Sequence, residues 1–211
     1  MLELLFFLIF LAGLVLKLFH VPYHTIVMGV GLLCMLIYYV VNLVNRKPGT
    51  KRTAGWLGLA TVSWLIFFLS EVKFMGGTII LMGLALFVSI LSLLMTLRES
   101  GPLSPGRIFV LLAALFLSAS TSWMDLHTRY YVFNIHFSPA AASDYMTLDK
   151  YSWFLYKDRE YEEALVVNGK AYDAAKASGA EEYLPTVEEH HQAIKKRNWG
   201  NFEFTTNTVE E

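Results

Sequence analysis

Five long apolar runs, each closed by a short polar or Gly/Pro-rich break, occupy the first 124 residues. They cover residues 2–19, 25–44, 54–70, 77–97 and 108–124. A helix needs roughly 17–25 mainly apolar residues to cross the hydrocarbon core of a bilayer, so all five qualify, the first, third and fifth at the short end. In hydrocarbon every backbone N–H and C=O must be paired within its own segment, which a helix achieves and an isolated strand does not. The breaks are Val21-Pro22-Tyr23, the stretch from Asn45 to Arg52, Gly76-Gly77, and Ser100 to Gly106. Proline removes a backbone donor and turns its predecessor away from helix, so these positions separate the spans. The first run has no basic leader and no small-residue cleavage site, which predicts a retained helix. The expected fold is all-α: a polytopic membrane protein with five transmembrane helices and a small C-terminal helical domain.

After Met124 the pattern changes. Residues 125–143 carry the aromatic, β-branched string Arg129 to Phe137, suited to the headgroup level as an interfacial linker, extended or helical. Residues 144–198 show the period of amphipathic soluble helices. Leu148, Tyr151 and Leu155 mark a first stripe; Tyr161, Ala164, Leu165, Asn168, Ala171 and Tyr172 a second; Tyr183, Leu184, Val187, His191 and Ile194 a third. Gly179 is placed to close the second helix in a left-handed cap. Residues 199–211 are a polar tail that Trp199, Phe202 and Phe204 can tether.

Charge sharpens the division. Of 211 residues 55% are hydrophobic and 17% charged, below the roughly 25% of soluble domains. The tail after Met124 holds 15 acids and 9 bases, leaving only Glu3, Glu71 and Glu99 as acids before it. Basic residues of short loops stay on the cytoplasmic side, so the cluster Arg46, Lys47, Lys51 and Arg52 sets the orientation. The N-terminus is then cytoplasmic and the C-terminal domain extracytoplasmic, periplasmic in a bacterium with two membranes. A net charge of -1 favours no nucleic-acid partner, and the lone Cys34 forms no internal disulfide.

The membrane part echoes itself. Ile26-Val27-Met28-Gly29 matches Ile80-Leu81-Met82-Gly83 at an offset of 54, which also pairs Lys17 with Glu71 and Pro22-Tyr23 with Gly76-Gly77. Two similar hairpins plus one extra span result, with Lys17 and Glu71 at equivalent depth as a structural pair. Gly13, Gly29, Gly31 and Gly83 are expected to permit close helix packing. The string Gly13 to Tyr23, with Lys17, His20 and Pro22, resembles the helix-end motif of hairpins in the Bacteroidota gliding-motility membrane protein GldL, with Tyr23 where glycine is expected. The resemblance implies an envelope location; the intramembrane acid of that motor family has no counterpart between Thr25 and Ser70. Further on, Leu148, Tyr151, Ser152 and Leu155, then Tyr161-Glu162-Glu163-Ala164-Leu165 and Ala171, resemble one tetratricopeptide repeat. Asn168 stands where an aromatic is usual and Lys176 where proline is common. The resemblance implies a helical hairpin that buries its faces by stacking.

Candidate chemistry is sparse. His20, His24, Asp125, His127 and His136 fall near the outer face, and imidazole with carboxylate suits zinc, copper or iron. Polar residues ending helices at an interface account for all five equally well, so neither a metal nor a cofactor is assigned. Phosphate-loop, His-Glu-x-x-His, Cys-x-x-Cys and nucleophile-elbow motifs are absent. Six aromatics, Tyr145, Tyr151, Trp153, Tyr156, Tyr161 and Tyr172, exceed what so small a core can bury, and aromatics are favoured interface anchors. The expected function is therefore a membrane-anchored scaffold or accessory subunit of a bacterial envelope complex. It would sit among membrane lipids and dock another envelope protein, or a second copy, through the C-terminal helices. The alternatives are a transporter or channel component and a metal-dependent membrane enzyme.

Overall fold

The computed structural model describes residues 2–44, 53–74, 77–98 and 105–199. The basic cluster Arg46 to Arg52, the Ser100–Ser104 stretch, Gly76, and the tail residues Phe202 and Phe204 lie outside the described residues. Two compact units divide at Met124.

The first unit contains α1 (Leu2–Leu18), α2 (His24–Val44), α3 (Thr53–Val72), α4 (Thr78–Arg98) and α5 (Pro105–Ser122). Four of them, α2 to α5, are long and apolar enough to cross a membrane; α1 has 17 residues. The last helix starts three residues earlier than hydropathy suggests, because Pro105 can occupy a first helical turn, where no N–H is needed. The hub is α3, which packs against α2, α4 and α5, while α1 packs chiefly on α2. Most of α3 is buried and little of α4 is.

Lipid tails are as apolar as leucine, so these helices gain little from hiding apolar side chains from their surroundings. Backbone approach and hydroxyl groups do the joining. A Cβ built on Gly13 would lie 2.6 Å from the Met28 nitrogen, and one on Gly31 would lie 2.7 Å from the Phe10 nitrogen. Only glycine lets α1 and α2 cross this closely. At Gly58 of α3 a Cβ would run into the Tyr39 ring of α2. Gly29 and Gly83 differ from the expectation: nothing lies within 4 Å of a Cβ at either, so neither is a packing glycine here. The Ser118 hydroxyl of α5 donates toward the Trp64 carbonyl of α3 at 2.9 Å, and the Trp64 indole N–H donates to Ser89 of α4 at 2.9 Å.

Helix ends repeat along the chain. His20 closes α1 and Phe74 closes α3, each with φ 54, and their N–H groups donate to Lys17 and Glu71 carbonyls respectively. Tyr23 has φ 67 and Gly77 φ 80. The two left-handed positions after α1 thus recur after α3 at the same 54-residue offset.

The second unit contains α6 (Leu126–Asn134), α7 (Pro139–Ser143), α8 (Tyr145–Lys157), α9 (Tyr161–Ala177), a 3-10 turn (Glu181–Tyr183) and α10 (Leu184–Lys195). Residues 125–143, expected as an interfacial linker, extended or helical, take the helical form as α6 and α7, both packed on α8. Tyr130 and Phe133 of α6 are buried. Their apolar bodies have a core to enter, and that outweighs the β-branched, aromatic character of the string. Local chemistry sets the helix ends. Asp144 caps α8 by accepting from the Thr147 N–H at 2.8 Å. Gly179, φ 76, ends α9 with Ala180 N–H donating to the Ala175 carbonyl at 3.0 Å and Gly179 N–H to Lys176 at 3.3 Å. Arg159 (φ 70) and Arg197 (φ 51) make the same six-to-one closure after α8 and α10, although neither is glycine. The core joins Leu148 and Leu155 of α8, Ala164, Val167 and Ala171 of α9, Val187 and Ile194 of α10, and Trp199.

Candidate functional site in the C-terminal unit

Inside this core lies a polar cluster. Asp149 of α8 and Asn168 of α9 have no exposed surface, and His190 of α10 is more than nine-tenths buried. Asn168 Nδ2 donates to Asp149 Oδ1 at 2.9 Å. His190 Nδ1 lies 2.8 Å from Asp149 Oδ2 and must carry a proton there, because a carboxylate only accepts. The Tyr183 hydroxyl donates to the same oxygen at 3.1 Å. Since Asn168 has committed its amide nitrogen, its oxygen faces His191 Nδ1 at 3.1 Å. The Asp149 carboxylate is therefore the common acceptor for donors from α9, α10 and the turn before α10. Trp199 closes the cluster by stacking on His190, centroids 4.8 Å apart, and its backbone N–H donates to the Tyr156 hydroxyl at 3.2 Å.

The position of this cluster differs from the face expected for the third helix. That stripe includes His191 and omits His190; the structure buries His190 and leaves His191 half-buried. Val187, His190 and Ile194 share a face at the three- and four-residue spacing of a helix. Asn168 is legible as a stripe residue of α9. Asp149 is not, since a carboxylate beside Leu148 ordinarily points to water; its signal is the pairing of polar residues at core positions on neighbouring helices.

The metal candidates meet other partners. Within the second unit, His127 Nδ1 lies 2.9 Å from Asp158 Oδ2, which also accepts the His127 backbone N–H at 2.7 Å. Asp158 thereby caps α6 from the far end of α8, a task the preceding Asp125 side chain does not perform. Thr128 Oγ1 stands 3.2 Å from His127 Nε2. His136 is exposed and packs on Phe137 and Tyr131. In the first unit, His20 forms the left-handed end of α1, and His24 Nδ1 lies 2.9 Å from the Val21 carbonyl. Among the described residues no three His, Cys, Asp or Glu side chains stand together as a metal site. Lys17 occupies the last turn of α1, and Glu71, mostly buried, the last turn of α3. An ion pair that hydropathy does not suggest joins α1 to α5: Arg107 Nε and Glu3 Oε2 are 3.0 Å apart. The signal was one acid opening the first span and one base opening the fifth.

The six aromatics chosen as partner anchors are all half-buried. Tyr151 lies 5.7 Å from Tyr131 and 6.3 Å from Tyr130 by ring centroids, Tyr156 lies 5.5 Å from Tyr161, and Tyr145 lies 5.0 Å from Tyr183. Trp153 packs on Phe154 and lies under the Lys157 ammonium at 5.2 Å, and Tyr172 lines the core. Around Tyr151 the rings continue to the surface through Tyr131, then His136 and Phe137 just beyond α6, with Tyr131 and Phe137 exposed by 38% and 41%; together they form a chain of ring contacts from α8 across α6. Desolvation shifts the ionisable groups of this unit. Burial raises the Tyr130 and Tyr183 phenols, with nearby Asp carboxylates adding to it, and pushes Tyr151 up to about 12. Burial lowers the Lys150 ammonium, and it lowers Arg129 against the opposing pull of Asp158.

No protein-family model, curated protein or solved structure matches this chain.

Proposed function

We propose that this chain is a multi-spanning membrane scaffold whose C-terminal helical unit docks a partner protein of the cell envelope. The observation that carries the proposal is the chain of ring contacts around Tyr151, set on a core held in register by the Asp149 cluster. Rigid aromatic side chains that are partly desolvated before binding lose little freedom on association, which suits them as anchors. Trp153, Tyr156, Tyr161, Tyr145 and Tyr172 contribute their half-exposed edges. The helix pair α8–α9 with α10 on α9 supports a tetratricopeptide-like unit. The left-handed pairs His20/Phe74 and Tyr23/Gly77 support two repeated hairpins in the membrane part, and give a backbone reason why glycine belongs at position 23 of the gliding-motility-like motif. The basic loop at Arg46 to Arg52 supports a cytoplasmic N-terminus, if α1 crosses as a fifth span, and an extracytoplasmic C-terminal unit.

The test uses the full chain in its native membrane, carrying a photo-crosslinking residue in place of Tyr151, Phe137 or Lys170. The docking proposal expects one discrete cross-linked species from Tyr151 and Phe137, and its loss when residues 125–211 are deleted. Equal cross-linking from Lys170, exposed on α9, or retention of every stable partner after the deletion, counts against it.

A further inference from the structure

The membrane unit contains a cavity of about 420 Å³ between α2, α3 and α4. That falls within the roughly 300–1,000 Å³ of small-molecule sites. Its wall includes Met28, Gly29 and Leu32 of α2, Leu69 of α3 and Leu81 of α4, and Lys73, just beyond α3, stands at its end. Two features give it shape. The hub helix α3 packs on both α2 and α4, and all three line the groove. Gly29 has open space where a side chain would begin, so the α2 wall stays hollow.

We propose that this groove holds an acyl chain of an anionic phospholipid, with the headgroup phosphate on Lys73. The inference rests on the membrane reading and is independent of what the C-terminal unit docks. The wall is apolar over about two helical turns, through Met28 and Leu32 on α2 and Ile66 and Leu69 on α3, which fits the headgroup-proximal part of a hydrocarbon tail. Lys73 is exposed at the span's end, where an ammonium sits at headgroup level, and no acid is among the groove's lining residues. Apolar wall and cationic end together match one molecule with a neutral tail and a negative head.

Native mass spectrometry of the detergent-purified full chain, titrated with phosphatidylglycerol or with phosphatidylcholine of the same chains, tests it. The expected result is preferential retention of phosphatidylglycerol. Lys73→Ala should reduce that preference by about fivefold, the worth of one basic residue near a lipid surface. Gly29→Leu should weaken both lipids by filling the groove, with circular dichroism confirming unchanged helix content. Equal retention of the two lipids, an unchanged preference in Lys73→Ala, or occupation of the groove by a second copy, read as a dimer that lipid does not dissociate, overturns the proposal. A chain that is monomeric and folded without detergent overturns it together with the membrane reading. Failure of the lipid titration alone leaves the membrane and docking readings standing.

Discussion

Replacing Asp149 by alanine should loosen the C-terminal unit far more than the loss of one side chain suggests. Three donors converge on that carboxylate. The Tyr183 hydroxyl is half-exposed and can turn to water, whereas Asn168 and His190 are enclosed and cannot. Each stranded buried donor costs about 1–3 kcal/mol, and losing one partner of a buried charged cluster costs about 3–5 kcal/mol in all. Removing a carboxylate that was itself expensive to desolvate offsets part of this. The net effect is about 2–5 kcal/mol. Hydrogen exchange on the full chain in detergent reads it directly, because amides of α9 and α10 exchange through opening of this unit. At about 1.4 kcal/mol per decade, protection there should fall roughly 30-fold to several-thousand-fold, while α2 and α3 stay unchanged. Asp149→Asn should fall between. Its amide keeps one acceptor for His190 and Tyr183, but sets a donor against the Asn168 amide unless Asn168 flips and turns its donor on His191. Protection in Asp149→Ala within twofold of the parent would refute the claim that the cluster holds the three helices together.

Three further substitutions and one change of pH separate the forces at work. Gly31→Ala should lower the thermal stability of the helical signal in detergent by about 1–3 kcal/mol through overpacking against the Phe10 backbone, while Gly29→Ala, two residues away and facing open space, should be neutral or slightly stabilising. Arg159→Gly should stabilise the C-terminal unit by up to about 1 kcal/mol, since a non-glycine residue pays roughly 1–2 kcal/mol for the left-handed region and glycine returns part of that in chain entropy; an unchanged or lowered unfolding midpoint contradicts it. Tyr130, Tyr151 and Tyr183 are held protonated by the fold, so below about pH 10 their contribution to stability is complete. Above it the unfolded chain loses protons that the folded chain keeps, and stability falls towards the folded value of about 12 for Tyr151. Ultraviolet titration should show a late tyrosinate fraction that appears together with loss of the C-terminal helices; complete ionisation near pH 10 with the helices intact contradicts it.

The long apolar helices were legible because hydropathy over about twenty residues is a local property with one dominant meaning. Their limits moved by a few residues where a local rule intervened, as at Pro105. What hydropathy could not separate was which glycine meets a neighbour. Gly29 and Gly31 share a helix and a composition, and only the crossing with α1 distinguishes them. The Asp149 cluster was hidden for the same reason: an acid, an amide and a histidine 19 to 41 residues apart have no pattern in sequence until three helices are brought together. The aromatic string of 129–137 left extended and helical readings open. Its residues suit a strand or an interface; the contact that favours the helix, Tyr130 tilted against Phe154 with ring centroids 4.7 Å apart, exists only once α8 is in place.

The two units solve the same problem with opposite means, and the difference follows from their solvents. In lipid an apolar side chain is equally at home against a tail or a helix, so Ile79, Phe87 and Leu97 of α4 stay exposed at little cost, and specificity falls to Gly13, Gly31 and the hydroxyls of Ser89 and Ser118. In water the apolar stripes of α8, α9 and α10 associate strongly but would tolerate sliding by a turn, because alanine, valine and leucine offer similar surfaces at successive turns. A single carboxylate that must meet Asn168, His190 and Tyr183 removes that freedom, since any shift strands buried donors. The proposed docking surface on α6 and α8 would need its aromatic rings fixed relative to one another. The buried cluster fixes α8 against α9 and α10, and Asp158, accepting from the His127 backbone N–H, ties α6 to the end of α8.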